Sequence, residues 1–300
     1  MFVVSVTRKL FISPRTHKSS LVGMMDLFGL RRMTLQPNDR FILEGNSMTF
    51  IRATVALLAT AVAAGALAAG NTTNEDFRDA KKMLEREVYM DHRVTLYCGY
   101  AFDKKKNVNL PSTFTTPGHK ERATRVEWEH VVPAENFGRA FKEWRDGSGR
   151  CINDKGHFFK GRRCAEKLSP EFRLMQADMF NLFPAVGAVN AVRSNYNYEM
   201  LPNAHYSFGS CEMKIDGRRA EPPARSRGEI ARAMLYMENA YSPIYKMSNK
   251  QRRLIEEWNR EYPVTQWECT RASRIAKLQG NENPFVAEAC RKAGLDYRGL

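Results

Sequence analysis

The run Val126-Glu127-Trp128-Glu129-His130-Val131-Val132-Pro133 decides the reading of this chain. It alternates and is rich in valine and tryptophan, so it predicts a strand over 125–132 that Pro133 ends. It also sets a carboxylate, Glu129, beside an imidazole, His130. A strand points successive side chains to opposite faces. Both can therefore serve one site only if the chain turns or bulges there. A second stretch, Phe180-Asn181-Leu182-Phe183-Pro184-Ala185-Val186-Gly187-Ala188-Val189-Asn190, supplies two asparagines nine apart across a proline. It predicts a short strand over 180–183. A helix then opens at Pro184, where the missing N–H costs nothing, and runs to about Asn195.

These residue types suit the cutting of a phosphodiester. That reaction needs a nucleophilic water, neutralisation of charge at phosphorus and help for the leaving oxygen. A neutral imidazole takes the water's proton near pH 7. A hard divalent ion neutralises the phosphate and the departing oxygen. Mg²⁺ takes few protein oxygens and keeps several waters, so one carboxylate and one amide oxygen suffice. Asn190, placed on the helix, is a candidate ligand. Asn181, on the preceding strand, can orient the water, the imidazole or the phosphate.

Around these motifs the chain reads as α+β, mostly helical, in one domain. Residues 74–90 read as an amphipathic helix with Phe77, Met83, Leu84 and Val88 near one face and Asn74 as N-cap. A short strand is expected over 94–98, loop over 103–122 and a short helix over 134–144. Residues 146–167 form a glycine- and Lys/Arg-rich excursion. Helices are expected over 228–241 and 249–261, the second capped by Ser248.

The formal charge of +14 over 300 residues points to a polyanionic partner. Residues 1–68 hold eight Lys/Arg against three Asp/Glu, and the remaining chain holds 39 against 30, so it keeps +9. Residues 53–68 are small and uncharged, follow Arg52, and end in Ala66-Leu67-Ala68, an A-x-A cleavage pattern. This is the order of a secretory signal, and the run is short for a spanning helix. Met48 opens a signal peptide over 48–68. Residues 1–47 are expected to be a misassigned start or a long leader, and residues 69–300 the mature domain. In an exported chain, six cysteines read as disulfides. Proximity suggests Cys151 with Cys164 and Cys269 with Cys290. No CxxC pair supports a zinc finger.

The residues 128–134 resemble the signature of the bacterial endonuclease I family. So do Met175–Gly187 with Val189-Asn190 and Arg193-Ser194-Asn195, and Arg274–Phe285 near the C-terminus. The matches run in order from about residue 76 to 286. The resemblance implies a ββα-metal (His-Me finger) core in an exported, Mg²⁺-dependent, sequence-nonspecific endonuclease leaving 5′-phosphate ends. Mn²⁺ and Ca²⁺ are alternative ions. The substrate is DNA, with RNA as an alternative, bound by its backbone to a periplasmic or secreted monomer that keeps no membrane anchor once the signal is cleaved. Carried over, His130 is the general base, and Glu129 and Asn190 hold the metal. Arg162, in Gly161-Arg162-Arg163-Cys164, holds the phosphate, with Arg150 in competition. Gly99-Tyr100 stands where the resemblance implies a further cysteine.

Blander readings compete. Lone histidines and carboxylates are most often structural or solvated. Phe158 and Phe159 can stack on bases or anchor a loop. Lys104-Lys105-Lys106 reads as a solvated loop. A DNA-capture protein without cutting activity is the rival of another class, and it would carry a substituted His130 or Glu129. A secreted phosphodiesterase for small substrates would need a denser Asp/His cluster.

Overall fold

The computed structural model describes residues 70–300. The expected leader (1–47) and signal peptide (48–68) lie outside the described residues. In chain order the elements are α1 (Phe77–Met83), β1 (Val126–His130), α2 (Ala134–Gly138), α3 (Lys142–Arg145), α4 (Arg162–Leu168), α5 (Pro170–Gln176), β2 (Leu182–Val186) and α6 (Gly187–Arg193). There follow β3 (Asn197–Tyr198), β4 (Lys214–Asp216), β5 (Arg219–Glu221), α7 (Ala224–Tyr241), α8 (Asn249–Glu261), α9 (Gln266–Gln279) and α10 (Pro284–Lys292). The architecture is α+β, with long helices and small sheets.

The alternating run forms β1, and β2 pairs with it antiparallel in unbroken register from Val126 opposite Val186 to His130 opposite Leu182. No bulge interrupts the pair, so Glu129 and His130 leave β1 on opposite faces; His130 is its last residue, and the turn that would let both serve one site comes at the strand's end, where the chain bends at 131–132. Pro184 lies inside β2, opposite Trp128, rather than at a helix start. A two-stranded ribbon has only edge strands, which tolerate proline. The Pro184 carbonyl accepts from Leu96 N–H at 2.8 Å. The following helix therefore begins at Gly187 and ends at Arg193, two residues short of the expected end. A Cβ at Gly187 would meet the Arg122 carbonyl at 2.5 Å and the Glu127 carboxyl at 3.1 Å. Glycine is what lets α6 start this close to the strand.

Elsewhere the expectations shift by local capping. α1 is capped by Asp76, whose carboxylate accepts from Arg78 and Asp79 N–H, not by Asn74. It continues through a π-helical turn to Val88. The segment 94–98 is not a strand. Val94 makes a single bridge to Ala101, and the chain turns so that Gly99 N–H reaches the Thr95 carbonyl. The segment 134–144 splits into α2 and α3. α8 matches its expected bounds, with Ser248 capping Gln251 N–H.

Buried apolar side chains from every layer form one core, with Phe137 and Phe172 under the ribbon and Tyr236, Trp258 and Ile275 among α7, α8 and α9. Several charged and polar groups inside that core pair with one another. Arg232 of α7 forks onto Glu268 of α9 at 2.6 Å on both oxygens. Asp178 accepts from Tyr236 at 2.6 Å, from Tyr241 at 2.5 Å and from Gln279 at 3.0 Å. All six cysteines are bridged, as Cys98–Cys211, Cys151–Cys164 and Cys269–Cys290. The two short-range pairs agree with the expectation from proximity.

Candidate active site

His130 ends β1 and turns its ring away from α6, onto Phe77 (5.0 Å between centroids) and towards Phe137 (6.4 Å). Only 8% of the residue is exposed. Its Nε2 lies 2.9 Å from the Gln176 carbonyl. A carbonyl only accepts, so Nε2 carries the proton and Nδ1 carries the lone pair. Burial, reinforced by the Arg162 charge, lowers the imidazole's pKa to about 3. The ring is neutral at pH 7.

Arg162, the first residue of α4, stands on the same side. Its Nε donates to the Gln176 side-chain oxygen at 2.6 Å, and its guanidinium lies 5.1 Å from the Phe77 ring. Gln176 therefore ties imidazole and guanidinium together, one through its backbone and the other through its side chain. The Gln176 amide is itself fixed by donating to Glu166 at 3.1 Å. One guanidinium nitrogen, Nη2, is buried and has no partner among the described residues. A buried cationic donor without an acceptor is costly and marks an anion's place. The loop feeding Arg162 is closed by Cys151–Cys164. Arg150, just before Cys151, is exposed, so the structure groups Arg162, not Arg150, with the histidine.

The other face of β1 meets α6. Glu129 is 3% exposed and accepts from Tyr97 at 2.6 Å and from Arg193 at 2.7 Å, both on Oε1. Burial raises its carboxyl above the usual range, against the opposing pull of Arg193 and Tyr97. Arg193 also donates to the carbonyls of His130 (2.9 Å) and Val131 (2.8 Å) and lies over Tyr198. Asn190 is the fourth residue of α6, about one turn in. Its Nδ2 donates at 2.9 Å to Glu127, not Glu129. Its Oδ1 has no hydrogen-bond partner among the described residues. Glu127 also takes Arg122 Nε at 2.8 Å and Arg125 Nε at 3.0 Å. Burial pushes the Glu127 carboxyl up, but Arg122, Asn190 and Arg125 outweigh it and hold it low.

Asn181 is fully buried, and both ends of its amide are spent on Val132. Its Oδ1 accepts from Val132 N–H at 2.7 Å, and its Nδ2 donates to the Val132 carbonyl at 2.9 Å. It clamps the chain just past His130.

Four residues in this arrangement were not singled out from sequence: Glu127, Gln176, Arg193 and Tyr97. Glu127 carried a signal, since it lies two from Glu129 and thus on the same strand face. Gln176 acts through its backbone oxygen from 46 residues away, which no motif announces. Of the two loop aromatics, Phe159 lies under Arg163 at 4.8 Å, while Phe158 is 72% exposed. Lys106 pairs with Glu85 at 3.1 Å.

A buried neutral imidazole, an anion-seeking guanidinium and a carboxylate–amide face on two antiparallel strands and a helix suit hydrolysis at phosphorus. The profile of the endonuclease I family matches residues 72–290. An extracellular deoxyribonuclease of Aeromonas hydrophila is 42% identical over 223 residues, covering 72% of this chain and 91% of the relative. A periplasmic deoxyribonuclease of the same species is 40% identical over 223 residues, 72% of this chain and 87% of its own length. Endonuclease-1 of Buchnera aphidicola (subspecies Acyrthosiphon pisum) is 36% identical over 227 residues, 73% and 84% of the two chains. This chain belongs to the endonuclease I family. Among the described residues no helix is long and apolar enough to cross a membrane.

Proposed function

We propose that the chain is an exported, sequence-nonspecific endonuclease that hydrolyses DNA with one divalent ion and leaves 5′-phosphate ends. The observation that carries this is the His130–Gln176–Arg162 constellation. It couples a neutral ring with a free Nδ1 to a buried guanidinium lacking an acceptor. The names of the Aeromonas relatives support DNA as the substrate and a destination outside the cytoplasm. The strand pair β1–β2 followed by α6 supports a ββα-metal core.

The donor set fits a hard ion such as Mg²⁺. Both hydrogen bonds shown on Glu129 go to Oε1, and the amide proton of Asn190 goes to Glu127, leaving Oδ1. Glu129 and Asn190 would hold the ion. When bound, it would neutralise the phosphate and the departing 3′-oxygen. His130 Nδ1 takes the proton of the attacking water, while the Gln176 carbonyl fixes the ring's tautomer and tilt. Arg162 Nη2 donates to a non-bridging phosphate oxygen. Asn181 holds the Val132 backbone and, with it, the end of β1. Glu127 accepts from the Asn190 amide and so sets which atom of Asn190 faces outward. DNA is held by its backbone through the basic surplus, without base readout.

The test is plasmid nicking by oxidised residues 69–300, with Mg²⁺ and with EDTA, beside His130→Ala and Arg162→Ala. Expected are Mg²⁺-dependent nicks, abolished in the first variant and reduced roughly 10²–10³-fold in the second. DNA binding without cutting in any divalent metal would replace the enzyme with a capture protein.

A further inference from the structure

Beyond the end of α6 lies a polar hollow of about 460 Å³ that plays no part in the chemistry above. Its walls come from α2, from the residues that follow α6, from the β4–β5 turn, from Met234 of α7, from residues 245–248 before α8 and from the start of α8. Asn136 of α2 lies six residues past His130, and Asn195 lies two past Arg193, whose guanidinium holds the His130 carbonyl.

No carboxylate lines this hollow, whereas three cations do: Arg139, Arg218 and Lys246. Arg139 is already satisfied, because Glu135 accepts from its Nε at 3.0 Å. The other oxygen of Glu135 accepts from Asn195, a second lining residue, at 2.7 Å, so this carboxylate stands behind the wall with both oxygens already bonded. Arg218 and Lys246 have no carboxylate partner among the described residues. Arg218 instead lies 5.9 Å from the Tyr196 ring. It sits at φ 63°, in the left-handed region that disfavours a side chain, beside Gly217 at φ 52°. Gln251, which lines the same hollow, has a buried Nε2 with no hydrogen-bond partner. Two cations without a carboxylate partner and an orphaned donor, with Glu135 already bonded to Arg139 and Asn195, form a receptor for an anion.

We propose that this hollow binds a phosphodiester of the substrate strand away from the phosphate being cut. This rests on the nuclease reading. Lys246 and Arg218 supply charge, and Gln251 Nε2 donates to a phosphate oxygen. Every backbone phosphate offers the same oxygens, so the site adds affinity and register without sequence preference.

The test is equilibrium binding of a fluorescent duplex oligonucleotide to oxidised residues 69–300 in EDTA, titrated at several salt concentrations. The variants are Arg218→Gln, Lys246→Gln and their double, with Lys292→Gln, on α10, as a control. Near-ultraviolet circular dichroism checks that each variant folds. Each lost phosphate contact should lower the slope of log K against log salt by about 0.9, or close to two units for the double. Binding should weaken equally on unrelated duplex sequences. Gln251→Leu should weaken binding while leaving the slope in place, because it removes a donor but no charge. Slopes equal to wild type in the double, or a loss matched by Lys292→Gln, would overturn the proposal while a cutting wild type keeps the nuclease reading. A wild-type chain that neither cuts nor binds DNA would instead overturn the nuclease reading on which the site depends.

Discussion

Replacing Arg193 by methionine should destabilise the domain by about 5 kcal/mol. Arg193 is 1% exposed, and its guanidinium meets three buried acceptors: Glu129 Oε1 at 2.7 Å, the His130 carbonyl at 2.9 Å and the Val131 carbonyl at 2.8 Å. Methionine fills much of the volume but donates nothing. Leaving the Glu129 carboxylate buried and unpaired costs about 3 kcal/mol. The two carbonyls add about 1 kcal/mol each. The Tyr97 hydroxyl still donates to Glu129, which keeps the charge term at the low end. Urea unfolding of the oxidised protein at pH 7, followed by tryptophan fluorescence, measures the loss. The decisive variant is the double, Glu129→Gln with Arg193→Met. Removing the stranded charge should return about 2 kcal/mol, so the double should be more stable than Arg193→Met alone. A loss below about 1 kcal/mol for Arg193→Met, or no recovery in the double, would refute the claim that this pair fastens α6 to the end of β1.

Glu127→Ala should raise the Mg²⁺ concentration for half-maximal nicking, and the Mn²⁺ dissociation constant by calorimetry, roughly 10–100-fold. Glu127→Gln keeps an acceptor for Asn190 Nδ2 and should stay much closer to wild type. Equal losses in the two variants would make the carboxylate itself a ligand. Serines at Cys151 and Cys164 should cost about 3 kcal/mol in urea unfolding, the amount expected for a loop of this length. They should also slow nicking, because Arg162 loses its anchored loop. Burial and the nearby Glu268 push the Glu229 carboxyl up to about 7. The folded state therefore favours its protonated form, and stability falls as pH climbs from the unfolded value near 4.5 through 7. Glu229→Gln should raise Tm at pH 8 and change it little at pH 4.5, and a larger gain at the lower pH would refute this sign.

What the sequence alone determined is what neighbouring residues decide among themselves. Alternation over 126–130 makes a strand, though it ends at His130, two residues short of the expected 132, and Ser248 caps a helix whose bounds match the expected 249–261. The histidine proposed as the base was legible because its neighbours match the endonuclease I signature. The tertiary structure decided what depends on pairing across distance. Pro184 joined a strand because its partner Trp128 lies 56 positions earlier in the chain. The tautomer of His130 is set by a backbone oxygen 46 residues away. Which glutamate meets Asn190 was fixed only when α6 packed along β1, which placed Asn190 at Glu127 and Arg193 at Glu129. A strand's period says which side chains share a face. Only the approach of another element says which of them it touches.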